Sequence, residues 1–95
     1  MHKMKGLKIM INRIKTIINN WDPVNLFPHA PDDEYSSEIN KICSFIEDNK
    51  DHALDKLGQE ILKIFIDSFG KDIFLKTSEQ CKEIACKINQ SLKVE

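Results

Sequence analysis

Residues 7–23 read LKIMINRIKTIINNWDP. Leu7, Met10, Ile11, Ile14, Ile17, Ile18 and Trp21 recur at the i, i+3, i+4, i+7 spacing that gathers side chains on one face of an α-helix. Asn12, Arg13, Lys15, Thr16, Asn19 and Asn20 occupy the other face, so the segment is amphipathic and its apolar stripe requires a partner. The predicted helix stops at Trp21, because Asp22 precedes Pro23 and the pyrrolidine ring disfavours helical backbone at the residue before it.

Three more stripes follow. The spacing predicts a second helix from near Asp32 to near Asn49, with Tyr35, Ile39, Ile42, Cys43 and Ile46 inward. Asp32, Asp33 and Glu34 place negative charge at the positive end of its dipole. A third carries Leu54, Leu57, Ile61, Ile64 and Phe65, opening after Asp51 as N-cap and closing at Gly70. The fourth starts at Thr77, whose spacing to Gln80 is that of a capping box, and continues through Cys81, Ile84, Ala85, Ile88 and Leu92. Ile73, Phe74 and Leu75 form an apolar run too short for a helix and read as a buried connector. Gly58 faces inward within the third helix, where glycine costs about 1 kcal/mol relative to alanine; a close helix crossing would account for it. Strand alternation and internal repeats are absent. The expected fold is all-α: a compact four-helix bundle-like domain over residues 1–95, with mostly antiparallel neighbours and a Pro-rich loop between helices 1 and 2.

Composition agrees. Ninety-five residues make one domain, and 41% hydrophobic with 31% charged residues is neither a disordered composition nor a membrane-spanning one. Cys43, Cys81 and Cys86 are odd in number and lack C-x-x-C spacing, which suits reduced thiols in a cytosol better than disulfides or zinc. Arg13 and Lys15 interrupt what would have to be the apolar core of a signal peptide, so a cytoplasmic location is expected.

All three prolines, Pro23, Pro28 and Pro31, fall between Trp21 and Tyr35, and this stretch also holds three of the seven aromatics. So many rings cannot all lie in water, so part of the loop must pack. The pattern Trp21-Asp22-Pro23, then Phe27-Pro28-x-Ala30-Pro31-x-Asp33-Glu34-Tyr35, with Glu38-Ile39 and Ser68-Phe69-Gly70 beyond, resembles a small bacterial family of unknown function. This is the domain-of-unknown-function family typified by the Bacillus YugE-like proteins, and the resemblance spans nearly the whole chain. It implies an all-helical cytoplasmic protein and brings no activity, cofactor or partner. His29 stands where that pattern favours an apolar or aromatic residue, which makes any role for it local.

Long connections without regular structure often bind something, so Trp21, Asp22, Phe27, His29, Asp33, Glu34 and Tyr35 form the candidate partner-binding set. Two readings stay open. In one, Trp21, Phe27 and Tyr35 plug the open end of the bundle while Asp22 accepts backbone amides in an Asx-type turn. In the other, the loop is a partner-binding lid, and the protein is a non-catalytic binding or adaptor module for an unidentified protein.

Other chemistry finds less support. Asp22, His29, Asp32, Asp33, Glu34 and Glu38 offer ligand atoms, and Glu34 with Glu38 would share a helix face, but no metal-binding spacing is present. No metal or other cofactor is expected. Cys43 and Cys81 lie on apolar stripes, Cys86 lies off them, and no base or glycine-rich phosphate loop accompanies any nucleophile, so no enzyme is expected. Residues 1–21 hold five bases and no acid, residues 22–60 three bases and ten acids, residues 61–95 six bases and five acids. Nucleic-acid binding through the basic first helix is therefore the alternative function, opposed by the net charge of −1; helix 1 lying against acidic helix 2 is the simpler use of those charges. A membrane partner is not expected. Ile9, Phe45, Leu62 and Ile66 lie off the stripes and either widen the core or cover a homodimer surface.

Overall fold

The computed structural model of the chain describes residues 2–26, 33–49 and 53–93. Four helices are present: α1 His2–Trp21, α2 Ser36–Asp48, α3 Leu54–Phe69 and α4 Ser78–Lys93. No strand occurs among the described residues. The helices pack in a ring, α1 on α2, α2 on α3, α3 on α4 and α4 back on α1, with the diagonal pairs kept apart by the core. Each helix thus buries one stripe against two neighbours, as four amphipathic helices of this length must.

The stripes are the core. Ile14 and Ile18 of α1, Ile42 of α2, Leu57, Ile61 and Phe65 of α3, and Cys81 and Ile88 of α4 are all fully or nearly fully buried. Phe45, Leu62 and Ile66 pack partly buried against that cluster, so these three off-stripe residues widen the core, whereas Ile9 is 50% exposed.

Helix ends follow local chemistry. At α4 both halves of the capping box form: the Gln80 amide donates to Thr77 Oγ1 at 3.1 Å, and the Thr77 amide donates to Gln80 Oε1 at 2.8 Å. α3 ends where Gly70 takes φ +87°, a region open to glycine, while its amide donates to the Ile66 carbonyl. The start of α3 differs from expectation. Ala53 occupies the N-cap with extended backbone and no side-chain cap, and Asp51 lies outside the described residues. α2 also starts later than its charge pattern predicts, at Ser36: Asp33, Glu34 and Tyr35 form a turn closed by the Ser36 amide on the Asp33 carbonyl at 3.1 Å.

The connector between α3 and α4 is only partly buried, which corrects the reading of Ile73-Phe74-Leu75 as a buried run. Phe74 is 3% exposed, whereas Ile73 and Leu75 are 56% and 75% exposed. A connector held by a single inward ring leaves its flanking residues outside.

Gly58 marks the crossing of α3 and α4. A Cβ there would meet Lys82 Cα at 3.1 Å and Lys82 N at 3.3 Å. Those atoms are backbone and cannot swing away. Lys82 Nζ also pairs with Asp55 Oδ1 at 2.8 Å, but both side chains are at least half exposed and the pair adds little. Gly58→Ala gains helix propensity but forces the two helices apart. The expected outcome is a net loss of about 1–2 kcal/mol of stability, read by urea denaturation; a gain of stability would disprove the close crossing.

Candidate functional site

The site begins where α1 ends. The Asp22 amide still donates to the Ile18 carbonyl at 2.9 Å, completing the last turn, and the chain then leaves the helix through φ +46° at Asp22. Asn25 also has positive φ, +56°. Asp and Asn are the non-glycine residues most often found there, because short polar side chains can bond the local backbone. Asp22 does so: its Oδ1 accepts the Leu26 amide at 2.8 Å, while its carbonyl accepts the Asn25 amide at 3.0 Å.

The same oxygen accepts the hydroxyl of Tyr35 at 2.7 Å, and the Tyr35 oxygen in turn accepts the Val24 amide at 3.2 Å. Tyr35 is fully buried at the N-cap of α2. Burial, and then the hydrogen bond to the Asp22 carboxylate, pushes the phenol well above its ordinary value, so it remains a donor at any physiological pH. Pro23 is buried, and Val24 and Leu26 pack on the core. The Asx-type turn read from Asp22 is therefore present, and Tyr35 is its second anchor.

Five rings close this end of the bundle. Phe65 is the hub: Trp21 and Tyr35 each meet it edge-on at 5.9 Å between centroids, and Phe74 and Phe69 stack on it at 5.2 and 6.1 Å. Trp21 also sets its edge against Phe74 at 6.0 Å, and Tyr35 against Phe69 at 6.1 Å. Both edge-on and stacked arrangements suit the ring quadrupole.

The candidate set divides accordingly. Trp21, Asp22 and Tyr35 come together, Tyr35 buried and the other two half-buried, whereas Asp33 and Glu34 are exposed on the turn before α2. Phe27 and His29, with Asp32, lie outside the described residues. The pairing of Glu34 with Glu38 on one helix face does not hold, because Glu34 precedes the helix. Glu38 lies within α2 and is only 6% exposed, with Oε1 finding no hydrogen-bond partner among the described residues. No three His, Cys, Asp or Glu side chains converge among the described residues. Phe65 and Phe74 were not singled out as part of this end: one sat on a core stripe and the other in the connector, and only the fold brings them to Trp21.

The thiols separate by burial. Cys43 and Cys81 are buried and Cys86 is partly exposed. Burial raises Cys43 to about 11, with the nearby Glu47 carboxylate adding to it, and burial alone raises Cys81 to about 11. A nucleophilic cysteine needs the opposite shift. Arg13 also has a structural task, since its Nη1 donates to the Ser91 carbonyl in the last turn of α4 at 2.7 Å. No described helix is long and apolar enough to cross a membrane.

A family model described as "Domain of unknown function (DUF1871)" matches residues 13–93, most of the chain, and the chain belongs to that family. No curated protein and no solved structure matches it.

Two outcomes are expected. Tyr35→Phe leaves Asp22 Oδ1 and the Val24 amide each one partner short and should lower stability by about 1–3 kcal/mol, read by urea denaturation; an unchanged midpoint would remove the anchor. Native thiol titration should modify Cys86 ahead of Cys43 and Cys81. Because the fold holds the two buried thiols protonated, their contribution to stability is full below pH 9.0 and is lost as pH rises towards about 11. Replacing both by alanine should flatten that alkaline slope in pH-dependent denaturation.

Proposed function

We propose that this member of the DUF1871 family is a non-catalytic protein-binding or adaptor module whose contact edge is the crossover from Trp21 to Tyr35. The observation that carries the reading is the way the crossover is held. Asp22 and Asn25 take positive φ, and a half-buried network of Asp22 with Tyr35 keeps the first in place. The network ties the two described ends of the crossover, residues 21–26 and 33–35, to each other, and groups held in place before binding lose less conformational entropy when a partner arrives.

Among its described residues, the crossover presents acid at Asp33 and Glu34. Trp21, Asp22 and Tyr35 are the positioning residues, and exposed Asp33 and Glu34 are the contact residues, favouring a partner surface with basic side chains. The non-catalytic reading is supported by Cys43 and Cys81, whose thiols burial keeps protonated where a nucleophile needs the opposite shift. The Trp21-Asp22-Pro23 to Asp33-Glu34-Tyr35 pattern supports the finer placement with the Bacillus YugE-like proteins, and three free cysteines suit a bacterial cytoplasm. The alternative of nucleic-acid binding through α1 is weakened by the chain's net charge of −1.

Affinity capture from bacterial extract, read by mass spectrometry, tests the reading. The double change Asp33→Lys, Glu34→Lys should still fold, with a melting temperature lowered only by the lost dipole interaction at the start of α2, and lose the captured protein. Retention of the same protein at the same yield would remove the acidic edge from the interface.

A further inference from the structure

A second surface lies on the other side of α1. As α1 advances from Arg13 to Trp21, the residues facing it on α4 recede from Ser91 to Ile84, so the two helices run antiparallel and leave a trough between them. Two adjoining depressions compose it and share Ile17 and Lys87. Ile17 and Trp21, both half-buried, supply apolar surface over the buried Ile84, and Thr16, Asn20 and Gln90 form polar margins. From Arg13 to Trp21 the trough is about 12 Å long at 1.5 Å per helical residue, the length of two turns of a third helix.

Its charge has one sign. The ionisable side chains lining the trough are Arg13 and Lys87, both cations, and α1 contributes no acid anywhere along its length. The larger trough between α2 and α3, about 910 Å³, differs: Lys41 and Lys63 alternate there with Asp48, Glu60 and Asp67, so it prefers neither sign of ligand.

We propose that the α1–α4 trough docks an acidic amphipathic helix from a partner protein. Two apolar side chains of that helix, four residues apart, lie along Ile17 and Trp21, and flanking carboxylates meet Lys87 and the Arg13 end. Helix-in-groove binding of this kind uses i, i+4 apolar anchors for affinity and rim charges for orientation and association rate. The surface is separate from the acidic edge at Asp33 and Glu34, and its occupant has the opposite charge.

The chain's single tryptophan, Trp21, lines the trough and reports on it directly. A display library of 15-residue peptides, selected on the full chain and counter-selected on Lys87→Glu, should yield peptides rich in Glu and Asp with Leu, Ile or Phe four residues apart. Their binding should shift Trp21 emission, weaken steeply with added salt, and weaken about tenfold in Lys87→Glu. Lys87 is exposed, so that variant should keep the parent's melting temperature. Asp33→Lys, Glu34→Lys should bind the same peptides as well as the parent does, which separates this proposal from the acidic edge. Selection of neutral or basic peptides, no enrichment, or equal binding to Lys87→Glu would overturn it. So would self-association abolished by Lys87→Glu, which assigns the trough to a second copy, or a Trp21 shift on adding duplex DNA that Lys87→Glu abolishes.

Discussion

One carboxylate oxygen ties together three parts of this chain. Asp22 Oδ1 accepts a backbone amide four residues ahead and the hydroxyl of the tyrosine at the N-cap of the next helix, so the end of α1, the turn and the start of α2 share one acceptor. That arrangement decides which way Tyr35 points. With its hydroxyl fixed at Asp22 and its ring on Phe65 and Phe69, Tyr35 cannot serve as an exposed helix residue, and α2 begins one residue beyond it. The late helix start, the exposed acidic turn and the buried ring end are consequences of the same bond set.

Much of this was legible beforehand because period and capping are local properties. Seven apolar residues at helical spacing defined α1, and a threonine three residues before a glutamine marked the start of α4. Gly58 within a helix implied a close crossing, and Lys82 supplies it. What failed was non-local. The start of α2 was placed near Asp32 on charge alone, yet the competing demand came from Tyr35, whose ring and hydroxyl find their partners on α3 and on the α1 side of the crossover. The connector was read as buried because it is apolar, but burial there depends on which single side chain can reach Phe65, and only Phe74 does. Within the candidate set, the buried or half-buried Trp21, Asp22 and Tyr35 were named together with outward Asp33 and Glu34, since proximity in sequence carries no information about which way a loop turns its side chains.

Charge divides along the chain as it does on the surface. The first helix has five bases and no acids, and the following segment is strongly acidic, while the total is nearly neutral. Packing places the basic helix between α2 and α4, with Arg13 bonded to the α4 carboxyl end, where a cation complements the helix dipole. Along α1 the neighbours thus change: Arg13, midway, grips the finish of α4, and Trp21, at the end, joins the rings.

Those rings all belong to one pole. Trp21, Tyr35, Phe65, Phe69 and Phe74 gather where α1 and α3 finish and α2 starts, whereas the opposite pole rests on aliphatic side chains such as Ile46, Leu57 and Ile88. The two poles are therefore held by different physics: directional ring contacts and a shared hydrogen-bond acceptor at one, shape-filling aliphatic burial at the other.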